Sequence, residues 1–331
     1  MYIRMCDTAL RNLCNLLIIL MERFLGILEV ALPVVVMVAT GVWARKTKFL
    51  SESGVEEIKS LIVKVCLPAV LFTAFYNMRF THKEALTLGV FALMNLAAFT
   101  LGTLICRLLK IKMPIAPFMC ATIEGGSIGY ALFILLFGQN ELYHFALFDA
   151  GGAVTQWAVI ITILQLRTKG KLSASELAKS LATPVNIAIL AGILCSVTGF
   201  GPYLSSLRAG RVFESVLTFV GAPVGPVIIM TVGYGLAFSN IAWSDTIKTV
   251  FARMLVFALL MGGIVYYIVG CIFPADSLYR LSVVLYFIMP PTYAYGVFTG
   301  GKDESSFLSA YLALYTLFTI FGYIVLASFV V

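Results

Sequence analysis

The sequence predicts an all-α integral membrane protein with ten transmembrane helices in two inverted five-helix repeats, in which helices 4 and 9 are broken and cross. Three observations carry this prediction: an extreme apolar composition, the spacing of charge-free runs, and helix-breaking residues in the fourth span of each half. Of the 331 residues, 61% are hydrophobic and 12% are charged, with a mean hydropathy of +1.00. Soluble domains are about 45–50% apolar and about 25% charged. Too few polar side chains are therefore present to cover a water-soluble globule.

Charge-free stretches mark the individual spans, because a membrane helix needs about 20 apolar residues. The loops between them are short, which excludes a separate soluble catalytic or nucleotide-binding domain within this sequence. The predicted spans lie near residues 24–44, 58–77, 85–107, 115–138, 142–166, 182–200, 214–238, 249–271, 278–299 and 305–329.

The basic residues predict the orientation of the chain. The net charge of +7 is typical of a membrane protein with basic cytoplasmic loops and does not require a nucleic-acid partner. Most Lys and Arg fall on one side of the predicted spans, including Arg45, Lys110, Lys171, Lys248 and Arg253. This bias predicts a multi-pass protein of the plasma (cell inner) membrane with both termini outside. The seven cysteines form no CxxC pair, so we expect no disulfide framework, no structural metal and no cofactor.

The chain divides into four segments on this basis. The apolar part of residues 1–20 is too short to span a membrane. We expect this segment to be either an artefact of an upstream start codon or a short interfacial segment. Residues 21–166 form the first five-helix repeat, residues 167–181 a basic cytoplasmic linker, and residues 182–331 the second repeat. Halves with an odd number of spans insert with opposite topology, as in many secondary transporters.

The helix-breaking clusters predict a substrate site. A broken helix survives in hydrocarbon only where it is buried in protein or lines a polar cavity, and its half-helix ends carry partial charges. A GxxxG packing face is the simpler interpretation of Gly125 and Gly129, and the sequence leaves both open. If the breaks form a site, its substrate-binding residues are Gly125, Gly126, Ser127, Gly129 and Tyr130 in span 4, and Pro290, Pro291, Thr292 and Tyr293 in span 9.

Two acidic residues are candidates for coupling transport to an ion. A carboxylate at bilayer depth costs on the order of 3 kcal/mol even on lenient scales, so it is normally protonated, paired or functional. Glu124 directly precedes the glycine cluster and is expected to bind H⁺ or Na⁺, although a protonated structural Glu is the alternative. Asp149, in span 5, is the second candidate for ion coupling. The alternative interpretation is a carboxylate that lies near the outer membrane interface and has no coupling role.

The run Gly125–Gly129 also matches the GxSxG pattern of serine hydrolases. That pattern needs a strand–turn–helix context and a His–acid pair, whereas here it lies in a membrane helix. The two histidines, His82 and His144, fall at predicted loop edges. We therefore expect the protein not to be an enzyme.

Three short motifs resemble the auxin efflux carrier family, which includes the plant PIN auxin exporters and bacterial malate and malonate permeases. They are the run 65–72 (VCLPAVLF), the Gly-rich break in span 4 and Met289-Pro290-Pro291, and the likeness extends from about Met21 to the end. The resemblance implies a scaffold of spans 1, 2, 6 and 7 that often dimerises. It also implies a mobile transport domain of spans 3–5 and 8–10 that carries small organic anions by an elevator movement.

One departure from the family pattern concerns the substrate. Members commonly carry an Asn-x-Gly break in span 4, where this chain has Glu124-Gly125-Gly126. A carboxyl group at the crossing repels an anion unless it is protonated or loaded with a cation.

The sequence thus predicts an ion-coupled secondary transporter (permease) of small organic anions such as carboxylates, working by alternating access. Its expected partners are the organic anion, the coupling H⁺ or Na⁺, the lipid bilayer and a second copy of the chain. A monovalent cation/proton antiporter on a similar crossover fold is the alternative, and a membrane ligand sensor is a more remote one.

Overall fold

The computed structural model is predominantly helical over the residues that it describes, which are 21, 25–26, 28–29, 31–76, 80–169, 182–236, 243–274, 276–292, 295 and 302–330. No β-strand occurs among these residues, so the all-α prediction is confirmed for them. The expected N-terminal extension 1–20, most of the linker 167–181 and Tyr293 lie outside the described residues.

We number the helices in chain order. They are α1 (31–46), α2 (Glu52–Tyr76), α3 (His82–Leu108), α4 (Ala116–Met119), α5 (Tyr130–Phe137), α6 (142–169), α7 (Pro184–Val197), α8 (Phe200–Ser206), α9 (Arg208–Gly221), α10 (Val224–Gly235), α11 (Trp243–Ile264), α12 (Ser277–Ile288) and α13 (Lys302–Val330). Wider π-helical turns interrupt or extend several of them, at Ile62–Cys66, Gly125–Gly129, Gln156–Ile161 and Val265–Ile272.

Side-chain caps set the start of several helices. Ser51 accepts a hydrogen bond from the Gly54 amide at the start of α2 (3.0 Å), and Thr183 accepts one from the Asn186 amide at the start of α7 (3.1 Å). These bonds satisfy backbone N–H groups that have no partner within the helix. The helix starts are thus specified locally, by residues that precede each apolar run.

Six helical segments of the described chain are long and apolar enough to cross a membrane: α2, α3, α6, the joined α9–α10 segment, α11 and α13. The pair α7–α8, bent by 81°, is a seventh if it counts as one span. The chain is therefore a multi-pass membrane protein, and the ten-span inverted repeat stays a prediction.

The predicted fourth and ninth spans are not continuous helices. Helix α4 ends at Met119, and helical geometry resumes only at Gly125. Helix α12 ends at Ile288, immediately before Pro290 and Pro291, which cannot donate the backbone hydrogen bonds of a continuing helix. The second interruption coincides with Pro290 and Pro291, whereas the first lies at residues 120–124, just before the glycine cluster, and Gly125–Gly129 is itself helical.

The expectation that Arg253 belongs to the basic loop residues is wrong. Arg253 lies well inside α11 and is completely buried. Its guanidinium is surrounded by backbone carbonyls, which replace water as hydrogen-bond acceptors. An arginine inside a span therefore does not report the side of the membrane.

The helices pack in two groups. Helix α2 packs on α7 and α9, and α1 packs on α10. In the other group, α3 packs on α6 and α11, α6 packs on α12, and α13 packs on both α11 and α12. The groups meet mainly where α2 contacts α6 and where α10 contacts α5 and the turn before it. We call this boundary the seam.

Two glycines let the backbones of α1 and α10 touch. A Cβ atom on Gly41 would lie 2.0 Å from the carbonyl oxygen of Met230, and one on Gly233 would lie 2.2 Å from that of Val38. Neither contact can be relieved by rotating a side chain, since both neighbours are backbone. Small residues at such contacts are typical of packed membrane helices.

Replacing Gly233 by Ala should therefore destabilise the folded protein by about 1–3 kcal/mol, the usual effect of overpacking. The measurement is the apparent unfolding temperature of the purified protein in detergent. Gly262→Ala is the matched control, because a Cβ atom at Gly262 has no neighbour within 4 Å. Equal unfolding temperatures for the two variants would contradict the close α1–α10 contact.

Candidate functional site

The two helix breaks meet directly. The backbone N–H of Glu124 donates a hydrogen bond to the carbonyl of Pro290 across 2.8 Å. An interrupted helix leaves N–H and C=O groups without helical partners, and water cannot satisfy them inside an apolar bundle. Here the first break supplies a backbone N–H group and the second a backbone carbonyl, and each is the hydrogen-bond partner that the other would have had in a continuous helix.

A chain of polar groups extends the contact between the breaks. The amide of Thr292 donates to the hydroxyl of Thr122 (3.4 Å), and that hydroxyl donates to the phenol oxygen of Tyr295 (3.0 Å). The Tyr295 hydroxyl in turn donates to the carbonyl of Phe118 (3.0 Å). Thr122 and Thr292 are buried, so this network ties the second break to the end of α4.

Arg253 joins both breaks from a third helix. One guanidinium nitrogen donates to the carbonyls of Met119 and Thr122, the latter at 2.7 Å. The other terminal nitrogen donates to the carbonyl of Met289 at 2.9 Å. Met119 is the last residue of α4, and Thr122 and Met289 lie just beyond the ends of α4 and α12, where the carbonyl ends of helices carry partial negative charge. The guanidinium therefore neutralises both negative ends at once.

Aromatic rings complete the environment of Arg253. Its guanidinium carbon lies 4.1 Å from the ring centre of Phe257 and 4.8 Å from that of Tyr315. Such cation–π contacts are strongest where the cation is removed from water. A lone arginine within an apolar span is the sequence signal that marks this residue, although its charge was counted with those of the cytoplasmic loops.

A cavity of about 270 Å³ lies beside the crossing, on the seam between the two helix groups. Both predicted coupling residues, Glu124 and Asp149, line it. Apolar and uncharged polar groups form the rest of the wall, and the sequence had not singled out Trp157 or Thr183. The complete lining is Val63, Leu67, Ile123, Glu124, Gly125, Gly126, Asp149, Ala153, Gln156, Trp157, Thr183, Val185, Asn186 and Thr292.

Asp149 is held against the first break rather than at the outer interface. Its carboxylate accepts a hydrogen bond from the Tyr130 hydroxyl at 2.5 Å and another from the backbone N–H of Gly125. Amide N–H groups at a helix N-terminus favour a carboxylate. Asp149 therefore binds the positive end of the half-helix that continues as α5.

Glycine is required at the point where Asp149 approaches. A Cβ atom on Gly125 would lie 2.3 Å from the carboxyl carbon of Asp149, and one on Gly129 would lie 2.6 Å from the ring of Phe145. Asp149 and Phe145 are one turn apart on α6. The two glycines thus form a packing face for α6, and of the pair Gly125 also lines the cavity.

The remaining predicted residues lie around this centre. Thr292 lines the cavity, and Pro290 and Pro291 are buried beside it. Gly126 lines the cavity with 3.4 Å between its Cβ position and a carboxylate oxygen of Glu124. The side chain of Ser127 lies outside the described part of the structure, as does Tyr293.

The cavity has a distinct charge character. Among its described lining residues are two carboxylates and no Lys, Arg or His. The histidine required by a hydrolase is thus missing from this lining: His144 lies near Glu141 and Asp276 instead. The cavity is suited to bind a cation, or an anion accompanied by one.

Two further cavities follow the same seam. One of about 340 Å³ lies between α2, α10 and α13 and includes Glu56, Lys59 and Thr316. Another, of about 400 Å³, is almost wholly apolar and lies between α3, α6 and α7. Packing is therefore looser at these places along the boundary between the groups than within the core of either.

Comparison of the chain with protein-family models and with curated proteins finds no match. The class that the structure defines is a multi-pass helical membrane protein with a polar site where two interrupted helical segments meet. Its function has to be argued from that site.

Replacing Gly125 by Ala should displace Asp149 and lower the stability of the folded protein by about 1–3 kcal/mol. Gly126→Ala is the matched control, because its new methyl group would meet Glu124 only at 3.4 Å. The unfolding temperatures of both purified variants test this. A Gly126→Ala variant as unstable as Gly125→Ala would show that the glycines serve backbone freedom rather than the approach of Asp149.

Proposed function

We propose that this protein is an ion-coupled secondary transporter (permease) of small organic anions such as carboxylates, working by elevator-type alternating access. The observation that carries the proposal is the direct contact of two interrupted helices beside a cavity that holds two carboxylates. Half-helices that meet inside a membrane protein form the substrate and ion sites of many secondary transporters.

The layout of the helices supports movement of one group against the other. We assign α1, α2 and α7–α10 to a scaffold, and α3–α6 and α11–α13 to a transport domain, within a ten-span inverted repeat. The observed packing groups support this division, as do the cavities along the seam. The motifs shared with auxin efflux carriers fit the same arrangement.

The two carboxylates set the order of binding. A small anion entering the cavity meets Glu124 and Asp149 and is repelled until a cation neutralises at least one of them. In the proposed cycle H⁺ or Na⁺ binds first, and the anion then binds beside Thr292 and the amides at the first break. Both leave on the other side after the transport domain has moved.

The expected orientation of the chain assigns the cavity to one side of the membrane. Thr183, at one edge of the cavity, begins the helix that follows the basic linker. Basic segments remain in the cytoplasm, so we assign the edge of the cavity at Thr183 to the cytoplasmic side of the plasma membrane. Both termini then lie outside.

A monovalent cation/proton antiporter is the second candidate. The observation in its favour is the cavity lining, which has two carboxylates and no cationic side chain among the described residues. Such a site can exchange H⁺ for Na⁺ or Li⁺ without an organic substrate.

Flux in proteoliposomes tests the proposal. Wild-type protein should take up mono- or dicarboxylates when a pH or Na⁺ gradient is imposed. Glu124→Gln should lose this gradient dependence but keep exchange of internal for external carboxylate, because an amide neither binds nor releases the coupling ion. Glu57→Gln, at an exposed position on α2, is the matched control and should behave as wild type.

Each outcome of this experiment separates the candidates. Gradient-driven uptake in Glu124→Gln equal to wild type would remove Glu124 from the coupling step. Na⁺ or Li⁺ movement without any carboxylate dependence would establish the antiporter. Carboxylate binding without flux would favour a ligand sensor.

A further inference from the structure

Three successive carbonyl groups at the end of α12 have donors elsewhere in the protein. The carbonyl of Ile288 accepts from the Thr319 hydroxyl (2.6 Å), that of Met289 from Arg253 (2.9 Å), and that of Pro290 from the Glu124 amide (2.8 Å). These are the three successive carbonyls at which the second helix breaks.

Three carbonyl groups at the end of α4 and just after it are held in the same way. The carbonyl of Phe118 accepts from the Tyr295 hydroxyl at 3.0 Å and from the Ala121 amide at 3.1 Å. The carbonyls of Met119 and Thr122 both accept from Arg253. One guanidinium thus holds acceptors from both breaks.

In secondary transporters with broken helices, unwound carbonyls and half-helix C-terminal ends coordinate the coupling Na⁺ or H⁺. Here a covalently attached cation, the guanidinium of Arg253, holds three such oxygens, those of Met119, Thr122 and Met289. We infer that the guanidinium of Arg253 takes the place of a coupling Na⁺ at the crossing, and that the coupling ion is therefore H⁺. The second half of this inference rests on the proposed transport function.

The carboxylates do not offer an equivalent Na⁺ site. A hard cation requires a shell of oxygen ligands, whereas Asp149 already accepts bonds from an O–H and an N–H group, which direct positive charge at its oxygens. Among the described residues, no group of three or more His, Cys, Asp and Glu side chains is arranged to hold a metal ion. A proton needs only one carboxylate oxygen.

The proton step is simple in this arrangement. A proton from one side binds a carboxylate oxygen of Glu124 and forms an O–H bond, which removes one negative charge from the cavity. The substrate anion then enters, and after the movement the same proton and the anion leave on the opposite side. Arg253 keeps its charge throughout and acts as a positioning residue.

The thermal stability of the purified protein tests the assignment of Arg253 without any transport assay. Exchanging choline for Na⁺ at constant ionic strength should leave the unfolding temperature of the wild type unchanged. Arg253→Met leaves the carbonyls open, so Na⁺ or free guanidinium should raise its unfolding temperature while choline does not. Arg253→Lys retains a cation and should remain indifferent to Na⁺.

A Na⁺-specific stabilisation of the wild type would overturn the inference. The effect of Na⁺ on the unfolding temperature tests the inference even if Arg253→Met fails to fold, because it can then be compared between the wild type and Arg253→Lys. A foldable Arg253→Met that responds to neither Na⁺ nor guanidinium would also count against it, since a merely structural arginine gives that result.

Carboxylate flux in proteoliposomes tests the coupling ion. Wild-type flux should follow the pH gradient and stay the same when Na⁺ is replaced by choline, and Arg253→Met should reduce it by about tenfold or more, because buried carbonyls lose their donor. Flux that requires Na⁺ at a fixed pH gradient would overturn the inference while leaving the proposed function intact. Absence of carboxylate flux under every gradient would reject the proposed function, and the stability measurement would still decide the role of Arg253.

Discussion

Backbone hydrogen bonding inside an apolar bundle is the constraint on which this structure depends. Two helices end where hydrocarbon would surround them, and neither end could persist there alone. The bond from the Glu124 amide to the Pro290 carbonyl, together with the three bonds donated by Arg253, satisfies these ends within the protein. The position of α11 follows, because it must place a guanidinium between the two breaks.

Charge compensation at the crossing follows from the same geometry. Arg253 faces the negative ends of the half-helices, and Asp149 faces the amide at the positive end of the first break. Each charge is thereby stabilised by backbone dipoles as well as by specific donors or acceptors. Glu124 lines the cavity next to Asp149, and in the proposed cycle it is the carboxylate that binds the coupling ion.

The distribution of glycine marks the places where helices pack most closely. At Gly41 and Gly233 the backbones of α1 and α10 touch, and at Gly125 and Gly129 the first break fits against α6. Cavities lie instead on the seam between the groups. Close contacts within each group and looser packing between them are what a rigid-body movement of one group requires.

The sequence by itself determined the membrane class and the approximate places where two helices break, because composition and clusters of Gly and Pro act locally. The tertiary structure alone decided that Asp149 contacts Gly125 and that Arg253, which loop counting assigned to the membrane surface, joins Met119 to Met289. Those contacts link residues on different helices. No local pattern encodes them, since they arise only when separate helices pack and their unsatisfied backbone groups find the nearest donors.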